Sequence, residues 1–162
     1  MPAAPVVVNS TPLVAFSSIG RLDILRALFG EIMIPPAVRE EFLSIEKESR
    51  RKILREASWI RVVELDHPNR TAVYTGLDEG EAQVLILAEE QSASLVLIDE
   101  RKARRYAERL KLPLSGTLGV LLLAKEEHVI STVQPLLKAI QSAGLYLHDE
   151  LVEQVLALAG EK

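Results

Sequence analysis

The sequence contains no cysteine, few aromatic residues and only three histidines among its 162 residues. The lack of cysteine excludes disulfide bonds, thiolate zinc sites and cysteine nucleophiles, and the scattered histidines argue against a metal site built from imidazoles alone. Any metal ion bound by this chain would therefore have oxygen ligands. An aromatic content of 4% also argues against a base-stacking platform for single-stranded nucleic acid.

Long apolar runs are missing as well. The run at 119–124 is among the longest, and it is far shorter than the roughly 18 residues that span a bilayer. The first five residues place no basic residue ahead of an apolar core, so we expect no export signal. These absences predict a cytoplasmic protein that does not enter a membrane.

The charge balance is slightly acidic, with 19 Lys and Arg against 23 Asp and Glu and a formal net charge of −4. This balance argues against a general nucleic-acid coat protein, although it leaves room for a local basic groove. The hydrophobic fraction of 48% is enough for a packed core without disulfides or structural metals. We predict one globular domain over 1–162.

Apolar periodicity predicts short strands that alternate with helices. The predicted strands are 6–8, 32–34, 59–63, 95–98 and 112–115. The predicted helices lie from 13 onward and at 22–28, 36–56, 81–90, 103–110 and beyond 117, and two amphipathic helices close the chain. This alternation is typical of an α/β domain with a mostly parallel sheet covered on both faces. We expect an α/β core at 1–125 with the helical pair at 130–160 packed on it.

Polar residues follow two of the predicted strands directly. Asn9 comes after the first strand and Asp99 after the strand at 95–98. Because the carboxyl ends of parallel strands meet at one edge of a sheet, where ligands bind, we expect both side chains at that edge.

Helical geometry selects two further acids. At 100° per residue, Glu41 lies about 60° from the apolar Val38, so we expect it to face inward while Glu40 faces water. Glu81 shares a helix face with Leu85, four residues on, and is expected at the edge of the core. Buried carboxylates need a positive partner, and clustered oxygen ligands suit Mg²⁺ or Mn²⁺. The pattern therefore favours phosphodiester chemistry.

Basic residues are concentrated beside these acids. The segment 101–111 carries six basic residues and one acid, a net charge of +5. A second cluster lies on the helix that bears Glu41 and comprises Lys47, Arg50, Arg51, Lys52 and Arg55. Positive flanks of this kind could hold a nucleic-acid backbone while the acids hold a metal ion.

Five segments, taken in order, resemble one known family: 6–13, 34–42, 77–82, 97–104 and 116–119. Together they span nearly the whole chain, which resembles the PIN-domain nucleases and in particular the branch known as DUF3368. The resemblance implies a three-layer α/β/α PIN-like fold and a metal-dependent endoribonuclease acting on single-stranded or structured RNA. It further implies the toxin of a toxin–antitoxin pair, with an antitoxin partner, and a homodimer.

The resemblance also implies residue roles. The metal-binding and catalytic positions would be Asn9, Glu41, Glu81 and Asp99, holding Mg²⁺ or Mn²⁺. Residues near the RNA would be Ser10, Thr11 and Thr117, joined by the basic residues Arg101, Lys102, Arg104 and Arg105. Asn9 departs from the family pattern, which has aspartate there, and the amide keeps a carbonyl ligand but removes a charge. We therefore expect weaker metal binding, and a non-catalytic binding module is the alternative function.

Each candidate also has a structural interpretation. Asp99 could cap the helix that follows it, and Thr117 could cap the next helix. Glu81 could complement a helix dipole, Glu41 could pair with Arg21, and the basic run could be a solvated helix face. A receiver-like signalling domain phosphorylated on Asp99 is a third possibility, but the acidic pair that it needs after the first strand is missing.

Overall fold

The computed structural model describes residues 4–162. Residues 1–3, part of the stretch in which we expect no export signal, lie outside the described residues. The strands are β1 (Val6–Val8), β2 (Ile32–Ile34), β3 (Ile60–Val62), β4 (Leu95–Leu97) and β5 (Leu114–Ser115). The helices are α1 (Ser10–Ser18), α2 (Asp23–Phe29), α3 (Pro36–Phe42), α4 (Lys47–Glu56), α5 (Glu79–Glu90), α6 (Arg101–Arg109), α7 (Thr117–Glu126), α8 (Gln134–Ser142) and α9 (Asp149–Leu158).

The five strands form one sheet in the order β3-β2-β1-β4-β5. Every neighbouring pair is parallel, including β1 with β4, where Val8 stands opposite Leu97. The predicted α/β class is confirmed, and the sheet is wholly rather than mostly parallel. Because parallel strands must be joined by crossovers, helices flank the sheet and all strand carboxyl ends meet at one rim.

The core is made by the strands and by helix α5. The side chains of β1 and the run 84–88 of α5 are buried, as the apolar character of both segments predicts. Helix α5 contacts α3, α6 and β1, so it lies at the centre of the helical layer on its side. This placement fixes the first turn of α5 beside α3, close to the strand carboxyl ends.

The single helix predicted over 36–56 is wrong. Helix α3 ends at Phe42, and α4 begins at Lys47 after a turn in which Glu46 adopts a left-handed φ of 52°. Arg50 stabilises this turn by an ion pair to Glu46 at 3.5 Å and a hydrogen bond to the Phe42 carbonyl at 2.8 Å. The predicted loop after Leu65 is also more ordered than expected, since it contains a 3₁₀ helix at Pro68–Val73.

The two closing helices are present as predicted and pack on the α/β core. Helix α8 contacts α1, and α9 contacts α7. Glu161 joins the two, since its carboxylate accepts hydrogen bonds from Val133 N at 2.7 Å, Gln134 N at 2.9 Å and Lys125 Nζ at 2.9 Å. Burial alone would raise the pKa of Glu161, but these hydrogen bonds and the Lys125 charge hold it below its usual value.

None of the helices within residues 4–162 combines the length and the apolar character needed to cross a bilayer.

Candidate active site

Asn9 lies where β1 ends and α1 begins. Its backbone N–H donates to the Leu97 carbonyl at 2.9 Å, which holds the residue against β4. The residue is only 3% exposed, and its Oδ1 has no hydrogen-bond partner within residues 4–162. Leaving a buried acceptor unpaired costs about 1–3 kcal/mol. The site therefore contains a buried acceptor oxygen that residues 4–162 leave unpaired.

Asp99 lies at the same rim, because it follows β4, the neighbour of β1. Both of its oxygens accept hydrogen bonds from Thr117, one from the backbone N–H at 2.8 Å and one from Oγ1 at 2.6 Å. The suggestion that Asp99 caps the following helix is wrong, since Glu100 is the residue that caps α6 by accepting from Ala103 N at 2.8 Å. Asp99 instead joins the end of β4 to the start of α7.

Thr117 does not cap α7 either, because it is the first helical residue and Gly116 precedes it as the cap. Thr117 is 1% exposed, so its hydroxyl is committed to Asp99 in a buried position. A Cβ at Gly116 would clash with Asp99 Oδ1. Glycine is therefore required for the close approach of this carboxylate to the α7 backbone.

Glu41 is exposed, which contradicts the prediction that it faces inward. It lies at the rim rather than in the core, with Oε2 3.1 Å from the position that a Cβ of Gly80 would take. Arg21 is not its partner, because Arg21 pairs with Asp23 at 3.0 Å. Among the residues that the structure describes, no lysine or arginine forms an ion pair with Glu41.

Glu81 closes a capping box at the start of α5. Its side chain accepts from Asp78 N at 3.0 Å, and the Asp78 carboxylate accepts from Glu81 N at 2.8 Å. Burial raises the pKa of Glu81, and although the hydrogen bond from Asp78 N opposes the shift, the nearby charges of Asp78, Glu100 and Glu41 add to it. The side chain therefore serves the helix start, as the structural interpretation expects, and also lies among other acids.

Two acids that sequence reasoning did not select, Asp78 and Glu100, thus belong to the surroundings of the site. Asp78 had a readable signal, because aspartate followed three residues later by glutamate is the pattern of a capping box. For Glu100, the sequence offered no such signal beyond its position next to Asp99.

The acids form two neighbouring groups. Glu41 and Glu81 lie across the α3–α5 contact, while Asp99 lies at the strand ends with Asn9. Between residues 4 and 162, no three acidic or histidine side chains are placed closely enough to hold a metal ion as they stand. Nevertheless, the unpartnered Oδ1 of Asn9 and acids that form no ion pair within residues 4–162 fit a hard divalent cation in their chemistry.

The basic residues of α6 divide into two kinds. Arg101, Lys102 and Arg105 are exposed at the start of the helix that follows Asp99. Arg104 is half-buried and donates to the Ile98 carbonyl at 2.8 Å. Arg101 and Arg105 make no side-chain hydrogen bond or ion pair within residues 4–162, the Lys102 side chain lies against Gly76, and Arg104 stabilises the end of β4.

The second basic cluster is partly structural. Arg50 is 5% exposed and its guanidinium lies 4.8 Å from the centre of the Phe42 ring. Its role in holding the turn after α3 excludes it as an exposed contact for a nucleic-acid backbone, so the prediction for this residue is wrong.

The fold and its rim define the class of protein. It is an all-parallel α/β domain with acids and an unpaired amide oxygen at the carboxyl ends of its described strands. Within this class, the sequence matches the model of DUF3368, a PIN-domain family, over residues 5–161. The chain therefore belongs to the DUF3368 PIN-domain family. PIN domains are typically nucleases and generally use divalent metals. A comparison with curated proteins found no match.

Proposed function

We propose that the protein is a metal-dependent endoribonuclease that hydrolyses phosphodiester bonds in single-stranded or structured RNA. The observation that carries the proposal is the buried Oδ1 of Asn9, which has no partner in residues 4–162 and lies beside Asp99 at the strand carboxyl ends. A buried acceptor without a donor is costly unless something else occupies it. A divalent cation is the occupant that the surrounding acids favour.

Asn9, Glu41, Glu81 and Asp99 would hold Mg²⁺ or Mn²⁺. When bound, such a cation supplies activation of the attacking water and stabilisation of the charge that develops on the phosphate. Burial, and after it the charges of Asp78, Glu100 and Glu41, raise the pKa of Glu81, and a positive charge placed here would offset both. No covalent intermediate on the enzyme is needed.

The chain positions these oxygens through neighbouring groups. Thr117 fixes Asp99 with two hydrogen bonds, and the N–H of Asp78 fixes one oxygen of Glu81. Both contacts orient a carboxylate before any ligand arrives, which lowers the cost of assembling the site. Arg101, Lys102 and Arg105 would bind phosphates of the RNA on either side of the cleaved bond.

The test is a Mn²⁺ titration of the wild-type protein and the Asp99→Asn variant. We expect Mn²⁺ to raise the melting temperature of the wild type and to support cleavage of end-labelled single-stranded RNA. In the Asp99→Asn variant, the affinity for Mn²⁺ read from the melting curves and the rate of RNA cleavage should each fall at least about tenfold. Asp66→Asn, at an exposed position away from the rim, is the matched control and should behave like the wild type. If Mn²⁺ changes neither melting nor RNA integrity, the nuclease proposal fails.

A non-catalytic RNA-binding module is the second candidate, favoured by Asn9 in place of aspartate and by the lack of three assembled acids among the described residues. In that case the wild type would bind the same RNA in a gel-shift assay, with and without Mn²⁺, and leave it intact.

The proposed biological role is that of a toxin countered by an antitoxin protein, and the proposed assembly is a homodimer. Family membership supports the first, and the exposed Leu151 and Leu158, seven residues apart on α9, support the second. Light scattering should then give twice the chain mass of 17.9 kDa.

A further inference from the structure

A pocket of about 430 Å³ opens beside Glu41. It lies between α1, the turn that follows α3, and the end of α8. Its volume falls within the range of about 300–1,000 Å³ that is typical of small-ligand sites. Ser10 and Thr11, both expected near the RNA, line it together with Glu41. The pocket therefore continues the candidate active site away from the strand ends.

The side walls of the pocket are apolar. Val14, Ile45 and Leu145 lie there, and Ile45 is 65% exposed although it is a large aliphatic residue. Leu145 belongs to the turn after α8, so the closing helices contribute to this surface. Flat rings bind well between aliphatic side chains of this kind.

Hydroxyl groups supply the polar part of the lining. Ser10 and Thr11 make no side-chain hydrogen bond anywhere in residues 4–162, so both hydroxyls can donate and accept. Ser44 donates to the Glu41 carbonyl at 2.6 Å and can still accept. A ligand with mixed donors and acceptors along one edge matches this lining.

Two opposite charges border the pocket, the carboxylate of Glu41 and the buried guanidinium of Arg50. Arg50 is already paired with Glu46 and the Phe42 carbonyl, whereas Glu41 forms no ion pair within residues 4–162, so Glu41 would repel an anionic group such as a phosphate. A neutral, planar group with polar edges is favoured instead.

We propose that this pocket holds one unstacked base of the RNA, next to the phosphate that is cleaved, and so sets the base preference of the protein. The proposal rests on the proposed function for the identity of its ligand. Proteins that read RNA sequence usually take bases from single strands, where the edges are free. Because Glu41 borders both the pocket and the rim, a base in the pocket places its own phosphate at the rim.

Four hexaribonucleotides, each made of a single base, test this by fluorescence anisotropy in EDTA, which prevents cleavage. We expect the wild type to prefer one hexamer by about fivefold or more. Ala143→Trp places a large ring at the pocket wall on an exposed helix end, and it should weaken binding of the preferred hexamer about tenfold and remove the preference. Ile45→Ala, which removes part of the exposed apolar wall, should also weaken binding of the preferred hexamer.

Ala27→Trp is the matched control, since Ala27 is exposed on α2 and does not line the pocket; it should bind like the wild type. Unchanged melting temperatures would show that the variants fold. Equal binding of all four hexamers, no binding of any, or an Ala143→Trp protein that binds like Ala27→Trp overturns the pocket proposal, even for an active nuclease. Base-dependent binding that Ala143→Trp removes supports the pocket, even if no RNA is cleaved with Mn²⁺.

Discussion

At the scale of single residues, Asn9 is the position that would decide, under the proposed function, how strongly the rim holds a cation. The amide offers one neutral oxygen where the resemblance to PIN-domain nucleases leads us to expect a carboxylate, and this oxygen is buried without a partner in the described part of the chain. A neutral ligand avoids placing a second negative charge beside Asp99 when no cation is bound. Under the proposed function, the amide would therefore favour the stability of the free protein and lower its affinity for a metal ion.

Asn9→Asp should reverse this balance. Without metal, an ionised carboxylate at a position only 3% exposed should lower the free energy of unfolding by about 1–3 kcal/mol at neutral pH. With Mn²⁺, the added charge should tighten binding by about tenfold or more. Thermal melting with and without Mn²⁺ measures both effects.

Asn69→Asp is the control for Asn9→Asp, because Asn69 is exposed in the 3₁₀ helix away from the rim. It should change neither the free protein nor its response to Mn²⁺ appreciably. An Asn9→Asp protein with wild-type stability and a wild-type Mn²⁺ response would show that Asn9 is not part of a cation site.

At the scale of one element, the first turn of α5 combines a structural and a chemical role. Glu81 satisfies the Asp78 N–H in the capping box, which favours the start of the helix. The same carboxylate experiences burial and the charges of Asp78, Glu100 and Glu41, and its pKa is raised. The first turn of α5 therefore contains a carboxylate, Glu81, whose negative charge opposes folding.

Glu81→Gln should stabilise the free protein at neutral pH. Because the folded pKa of Glu81 is raised, the unfolded chain loses this proton first as the pH increases, and the folded state loses stability through that window and stays penalised above it. Glutamine keeps the capping geometry but cannot ionise. We expect a gain of up to about 1 kcal/mol near pH 7 that vanishes below about pH 4.

Urea unfolding at a series of pH values measures this gain, with Glu40→Gln, exposed on α3, as the comparison. A gain that persists at acid pH would have another origin than the charge of Glu81. The Glu81→Gln variant should also lose Mn²⁺-dependent cleavage, which separates the stability of the free protein from its activity.

The α3–α4 break and the position of Glu41 show what helical periodicity can and cannot predict. The apolar stripe places Val38 and Phe42 correctly in the core. It gives no sign of the turn at Glu46, because that backbone conformation depends on contacts of Arg50. Glu41 lies at the edge of the stripe, where α3 meets an open pocket rather than the core, so its angle alone could not predict exposure.

At the scale of the whole molecule, the strands were predictable because short runs of buried apolar residues followed by polar ones have few other interpretations. The common rim of Asn9 and Asp99 followed from that pattern. The partner of Asp99 did not, because Thr117 lies 18 residues further along and reaches Asp99 only through the placement of β5. Contacts that depend on the packing of distant elements leave no local pattern in the sequence.

Glu161 links the end of the chain to α8 and α7, and Glu161→Gln tests that link. Its pKa lies below the usual value, so the stability that it contributes is present above the pKa of the unfolded chain and is lost as the pH falls through the folded pKa. The variant should be less stable by about 1–3 kcal/mol at pH 7. The difference from the wild type should close as the pH falls below the usual glutamate range and through the lowered folded pKa.

Glu153→Gln is the control, because Glu153 is 64% exposed and its ion pair with Lys162 spans 3.4 Å in solvent. It should change the free energy of unfolding by less than about 1 kcal/mol. A Glu161→Gln protein with the same small effect at every pH would show that the closing helices are held by apolar packing alone.

The strand order also has a consequence for synthesis. Strand β1, made before the other four, occupies the middle of the sheet, with β2 on one side and β4 on the other. While the ribosome is still extending the nascent chain toward residue 95, β1 can pair with β2 but its other edge stays open. Full closure of this edge must wait for more than half of the chain, so a chaperone that shields exposed strand edges would act most usefully during that interval.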